Sequence, residues 1–206
     1  MTELDTPLGP ARVTATEPAD GTVGTLVLGH GAGGGIESAD LLAVTTSAAA
    51  AGWRVLRVEQ PWRVAGKRIA PAPARLDVAW TAVLDALRDD GRLTGPLVLG
   101  GRSAGARVAC RTAAEHEAAA VLCLAFPLHP PGKPEKSRAD ELAAVGVPLV
   151  VVQGERDAFG RPDELAAVLS GQSGASLYGV PGDHALTANP DVVAAAAVDG
   201  LGGVAG

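Results

Sequence analysis

LVLGGRSAGARVACRTAAEH, residues 97–116, is the stretch whose reading decides the fold. Its first half is apolar with a β-branched residue, as a buried strand requires, and its second half is an alanine-rich helix former. Between them stands Gly101-Arg102-Ser103-Ala104-Gly105, a G-x-S-x-G turn in a strand–turn–helix setting. Such a turn strains the backbone of its central serine, and the departing helix passes close to its own strand. Glycines at 101 and 105 remove the Cβ atoms that would collide there, and Ala104 keeps the next position small. The serine hydroxyl then projects from the carboxyl edge of a sheet, above a helix N-terminus whose free N–H groups can face an anion. In a chain with 27 glycines five letters carry little alone, so the partners of the serine decide its role.

Outward from this turn, strand-like and helix-like segments alternate, the pattern of an α/β fold with a parallel sheet covered on both faces. TLVLGHG (25–31), RVLRVEQ (54–60), AAVLCLAFP (119–127), PLVVVQGE (148–155) and SLYGV (176–180) read as strands. Helices are expected over 38–51, 139–145, 161–170 and 190–201, and in the segment where Leu76, Trp80, Val83, Leu84 and Leu87 share one helical face. Residues 61–74 read as a proline-rich loop. With no internal repeat and no linker, residues 1–206 are expected to form one domain.

Composition narrows the function. The chain is 47% hydrophobic with a net charge of -6, its charges scattered. No basic stripe points to nucleic acid, and no apolar stretch approaches membrane-spanning length. The start, MTELDTPLGP, has no basic region followed by an apolar one. Cys110 and Cys123 are expected as buried small hydrophobes in a reduced, cytoplasmic protein.

A serine at neutral pH needs a base, and the base needs an orienting acid. Four histidines are available. His116, at the end of the helix after the turn, reads as a surface residue; His30, in a glycine-rich turn, reads as shaping backbone; His129 lies in a proline loop that can border a pocket. His184, in VPGDHAL just after the last strand, is the candidate base. The acid should follow the strand between serine and base, where LVVVQGERDAFG offers Glu155 and Asp157. Asp157 is preferred because a turn past the strand lets a short carboxylate aim at an imidazole; Asp163 reads as a helix-start charge and Asp183 as a turn residue. An oxyanion would meet the N–H of Ala104 and a second N–H, from Ala32 or Gly33, in LGHGAGGG (28–35). The same loop satisfies G-x-G-x-x-G over 29–34, with Glu59 ending the next strand, so dinucleotide binding is a rival. That rival leaves the G-x-S-x-G turn, Asp157 and His184 unexplained.

Together LVLGHGAGGG, GGRSAGARVA, FPLHPPGKPEK, VQGERDAFG and GDHAL, spanning residues 25–187, resemble a small cap-less α/β-hydrolase family. It is similar to dienelactone-hydrolase-like esterases and related to testis-expressed and non-specific-lethal-complex hydrolase-like proteins. The resemblance implies an α/β-hydrolase fold, a mostly parallel sheet with helices on both faces and no large lid. It implies a Ser103–Asp157–His184 triad working through an acyl-enzyme, with no metal and no cofactor. Ala104 is smaller than the residue expected after the nucleophile. Related eukaryotic members serve as non-catalytic scaffolds, so a silent interaction protein is the second reading. The short 129–140 segment leaves no room for a lipase-like lid, which suits a small or soluble ester or thioester as the partner molecule. Arg102, His129 and Trp62 are candidate substrate contacts, with bracing of the turn as the other reading of Arg102 and packing as that of Trp62, and Lys133, Lys136 and Arg138 form a basic loop that reads mainly as a solvated surface.

Overall fold

In the computed structural model, which describes residues 1–204, six parallel strands form the centre of one sheet. They are β3 (Gly24–Gly29), β4 (Trp53–Glu59), β5 (Leu97–Arg102), β6 (Ala120–Leu124), β7 (Leu149–Gly154) and β8 (Ala175–Val180). Two further strands that the sequence reading missed, β1 (Thr2–Leu4) and β2 (Ala11–Thr16), pair antiparallel, and β2 adds to β4. The order across the sheet is β1-β2-β4-β3-β5-β6-β7-β8.

The strands are apolar on both sides because helices cover both faces. On one face α1 (Ala39–Ala50) and α7 (Pro190–Leu201) pack over Leu26, Leu28, Val98, Leu122 and Val150. On the other, α3 (Pro73–Asp89), α4 (Ala104–Thr112), α5 (Ala139–Ala143) and α6 (Pro162–Leu169) lie over Val27, Leu99, Val121 and Val151. Neighbours such as Leu26 and Val27 face opposite cores, as a period of two requires. In α3 the residues Leu76, Trp80, Val83, Leu84 and Leu87 are all buried, about 1.5–3 kcal/mol for each large side chain. The 61–74 segment is not all loop: Pro61–Val64 forms a helical turn, α2, with proline at its start where a missing N–H costs nothing. Cys110 and Cys123 are free and buried, as expected. His116 is a correction, since it is only 3% exposed: its Nε2 lies 3.1 Å from Thr81 Oγ1, and burial pushes its pKa down.

All six parallel strands end at one edge, and there the glycines have a steric task. A Cβ on Gly101 or on Gly105 would strike the Gly29 carbonyl. Only bare backbone lets α4 leave β5 while pressed onto β3. The dinucleotide alternative fails on the same geometry: α1 starts at Ala39, five residues beyond Gly34, so the glycines do not open a helix.

Candidate active site

Ser103 joins β5 to α4 with φ 52° and ψ −106°. That conformation costs a residue with a Cβ about 1–3 kcal/mol and must be imposed by its surroundings. Its N–H donates to the Leu124 carbonyl at 2.9 Å, and its carbonyl accepts from Arg107 N–H at 3.2 Å. The close fit of Gly105 on Gly29 does the rest.

His184, in the turn after β8, brings its Nε2 to 2.9 Å from Ser103 Oγ and its Nδ1 to 2.8 Å from Asp157 Oδ2. These partners assign the tautomer: Nδ1–H donates to the carboxylate, and bare Nε2 accepts the serine O–H. Asp157 is buried and also accepts from Gln153 Nε2 at 2.8 Å and from Phe159 N–H at 2.8 Å. The Phe159 ring lies along the imidazole, with centroids 4.2 Å apart. Glu155, the other carboxylate considered, is exposed to solvent; Asp183 holds its turn by accepting from Ala185 N–H at 2.9 Å.

Ala104 is the first residue of α4, where N–H groups have no intrahelical acceptor. Gly31 lies beside the serine turn: a Cβ there would sit 3.0 Å from Arg102 Nη1 and 3.5 Å from Ser103 Cβ. The amide of Ala32 is one peptide bond beyond Gly31 and that of Gly33 two. The loop is clamped at both ends. His30 donates from Nδ1 to the Gly31 carbonyl at 2.9 Å and accepts Gln60 N–H on Nε2 at 3.1 Å. Burial pushes its pKa down, so it stays uncharged and shapes backbone, as its position suggested. At the far end Arg57 Nη1 donates to the Ile36 carbonyl at 2.6 Å. Between the clamps Ala32 and Gly33 stand exposed.

Arg102 braces the site. Its Nη2 donates to the His184 carbonyl at 2.9 Å, and its Nε lies 3.2 Å from the fully buried Asp40 Oδ2. Asp40, on α1, has no aligned hydrogen bond and is held by this charge pairing alone. One guanidinium thus ties the serine turn, the base turn and α1 together. Trp62 is buried beside His30, with ring centroids 5.5 Å apart, and both line a small cavity whose wall includes Ala104. In the basic loop, Arg138 Nη1 is taken by the Pro127 carbonyl at 2.6 Å, while Lys133 and Lys136 are exposed.

His129 keeps no ring nitrogen for a ligand: Nδ1 faces the Pro130 carbonyl at 3.0 Å and Nε2 faces Glu164 at 3.0 Å. Two acceptors suit an imidazolium. The Glu164 hydrogen bond first, then the Pro130 carbonyl, raise the His129 pKa. The Arg161 N–H that Glu164 accepts, then His129, lower the Glu164 pKa. The raised histidine value gives stability fully present below its ordinary 6.5 and lost as pH rises through the raised value. The lowered glutamate value gives stability present above its ordinary 4.5 and lost as pH falls through the lowered one. Replacing His129 by glutamine should therefore lower Tm more at about pH 5.5 than at about pH 8. An equal deficit at both, in thermal denaturation of the two proteins, would mean the ring acts by packing alone.

Three participants escaped sequence reasoning. Gln153 had a signal, being the one polar residue in the buried run LVVVQG. Phe159 and the Arg102–Asp40 pair had none, because each depends on segments far apart in the chain.

Residues 22–192 match the family described as an alpha/beta hydrolase domain. Among solved structures the chain is similar to an alpha-beta serine hydrolase homologue from Coxiella burnetii, at 16% identity over 96% of this chain and 95% of that one, with a TM-score of 0.80. It is similar to an alpha/beta serine hydrolase without lid from Xanthomonas campestris, at 23% identity over 97% and 92%, TM-score 0.80. Est1E from Butyrivibrio proteoclasticus, solved with ferulic acid bound, matches at 16% identity over 97% of both chains, TM-score 0.80.

Proposed function

This chain belongs to the alpha/beta hydrolase family, and we propose that it is a serine hydrolase cleaving a small or soluble ester or thioester through Ser103, His184 and Asp157. The observation that carries the reading is the unbroken hydrogen-bonded chain from Ser103 Oγ through both imidazole nitrogens to a buried carboxylate. As Ser103 Oγ attacks the acyl carbon, its proton passes to His184 Nε2. Asp157 stabilises the imidazolium, and the carbonyl oxygen, now an anion, meets the N–H groups of Ala104 and of Ala32 or Gly33. His184 then protonates the departing oxygen or sulfur, leaving an acyl group on Ser103. A water that gives its proton to His184 attacks this acyl-enzyme, and the carboxylic acid leaves with the serine restored. Arg102 and His129 act in this scheme as positioning residues, the first on the base turn and the second through its own backbone N–H, which donates to the Phe159 carbonyl at 2.9 Å on the turn that carries the acid.

A fluorophosphonate probe tests the reading. It should label the protein stoichiometrically, with the modified peptide mapping to Ser103, and short-acyl nitrophenyl esters should be turned over. Absence of both labelling and turnover would leave the silent scaffold as the better account.

A further inference from the structure

We propose that the cavity beyond Trp62 is the acyl subsite of this candidate site and takes an acyl arm ending in an anion, an inference that rests on the hydrolase reading above. The cavity measures about 120 Å³ and is lined by Gln60, Trp62, Lys67, Ile69 and Arg75, among others. It lies at the same sheet edge as Ser103: Gln60 follows β4, and the pairing of Arg12 with Glu59 brings the β1–β2 turn, with the lining residue Leu8, to that edge. A second cavity of about 10 Å³ shares Gln60 and Trp62 as walls and reaches Ala104. Gln60 and Trp62 therefore partition the two cavities, and an acyl arm that reaches the larger one must turn these two side chains aside.

Which half of the substrate goes there follows from the strand order. The leaving group must meet His184, which arrives from β8. The cavity lies at β4, on the other side of β5, so it faces the acyl half. β4 and β5 are two strand spacings apart, about 10 Å. A short acyl arm plus the reach of a lysine or arginine side chain covers that span. The volume is below the ~150 Å³ of a cavity that holds benzene, which suits the end of a short arm.

Chemistry of the walls points to a polar, anionic end. Gln60 and Trp62 are 6% and 7% exposed, and Gln60 Oε1 and Trp62 Nε1 are both buried without a partner. Buried polar atoms are seldom left so unless a ligand or water meets them. Lys67 and Arg75 are the charged lining residues, and neither joins an ion pair among the described residues. In a chain of net charge -6, two exposed, unpaired cations at the rim of this opening set up a local positive field. A carboxylate on the acyl arm answers it.

The test compares 4-nitrophenyl hydrogen adipate with 4-nitrophenyl hexanoate, equal in acyl length and different in terminal charge. The protein should favour the adipate ester by about tenfold or more in kcat/KM, the factor one charge-assisted hydrogen bond supplies, and added salt should erode the preference. In Lys67→Met/Arg75→Met the ratio should fall to near one, while Lys67→Arg/Arg75→Lys should keep it. A ratio near one in the unmodified protein, or one that survives the methionine pair, overturns the subsite with hexanoate turnover and probe labelling intact. If neither ester is cleaved, the hydrolase reading has failed separately. The cavity is then read by heating with free adipate or hexanoate: adipate alone should raise Tm, and only where Lys67 and Arg75 are present. No shift overturns it.

Discussion

Ser103→Ala should lower kcat for a short-acyl nitrophenyl ester by about a millionfold, the loss seen when a serine protease is stripped of its nucleophile. The size follows from what remains. His184 keeps its carboxylate partner and Ala104 keeps its N–H, so bound ester still meets donors, but no oxygen can form the acyl-enzyme. The strained backbone at φ 52° persists, because alanine suits it no better than serine and Gly105 still lies on Gly29. Stability should change by less than about 1 kcal/mol, since one hydroxyl hydrogen bond is exchanged for a small gap. Steady-state kinetics and thermal denaturation measured together check both halves. A variant within tenfold of the parent in kcat, and still labelled by a fluorophosphonate, would show that another residue carries the chemistry.

Much of this was legible because the decisive features are local. A strand, a tight turn and a helix within 97–112 put Ser103 on a sheet edge whatever the rest of the chain does. A histidine directly after the last strand and an aspartate directly after the one before inherit the same edge, since parallel strands all finish there. That Ser103, His184 and Asp157 meet at one edge was therefore readable from chain order. The β1–β2 hairpin was not: three residues, and a run whose only buried side chains are Ala11 and Val13, give little strand signal, and the pairing with β4 is what makes them strands. His116 escaped for a similar reason, because its burial is supplied by α3, through Thr81.

The Arg102 brace shows a different limit. In sequence its guanidinium, inside the serine turn, can either face the pocket or brace the turn, and nothing local decides between them. In the fold Asp40, 62 positions earlier, and the His184 carbonyl, 82 later, occupy it. Of the two cations that do face an open cavity, Lys67 lies in the proline-rich segment and Arg75 in the first turn of α3. Only the helical turn at 61–64 and the start of α3 bring them together.

Asp157→Asn should cost about ten-thousandfold in turnover, as the same change does in the serine-protease triad. The hydrogen bonds explain why no orientation of the new amide works. Asp157 Oδ1 accepts from Phe159 N–H, while Oδ2 accepts from both Gln153 Nε2 and His184 Nδ1. An asparagine that leaves oxygen toward Phe159 turns its NH₂ on two donors, and His184 must take the other tautomer, which removes its acceptor from Ser103. Reversing the amide points the NH₂ at the Phe159 N–H instead. Either way a buried donor loses its partner, worth about 1–3 kcal/mol in stability besides the loss in rate. Glu155 offers no rescue, because it is exposed and its backbone N–H is fixed to the Val180 carbonyl at 2.9 Å. Glu155→Gln should accordingly stay within about twofold of the parent, the change ordinary for an exposed surface substitution. Near-parental turnover in Asp157→Asn together with a dead Glu155→Gln would move the acid to the other carboxylate.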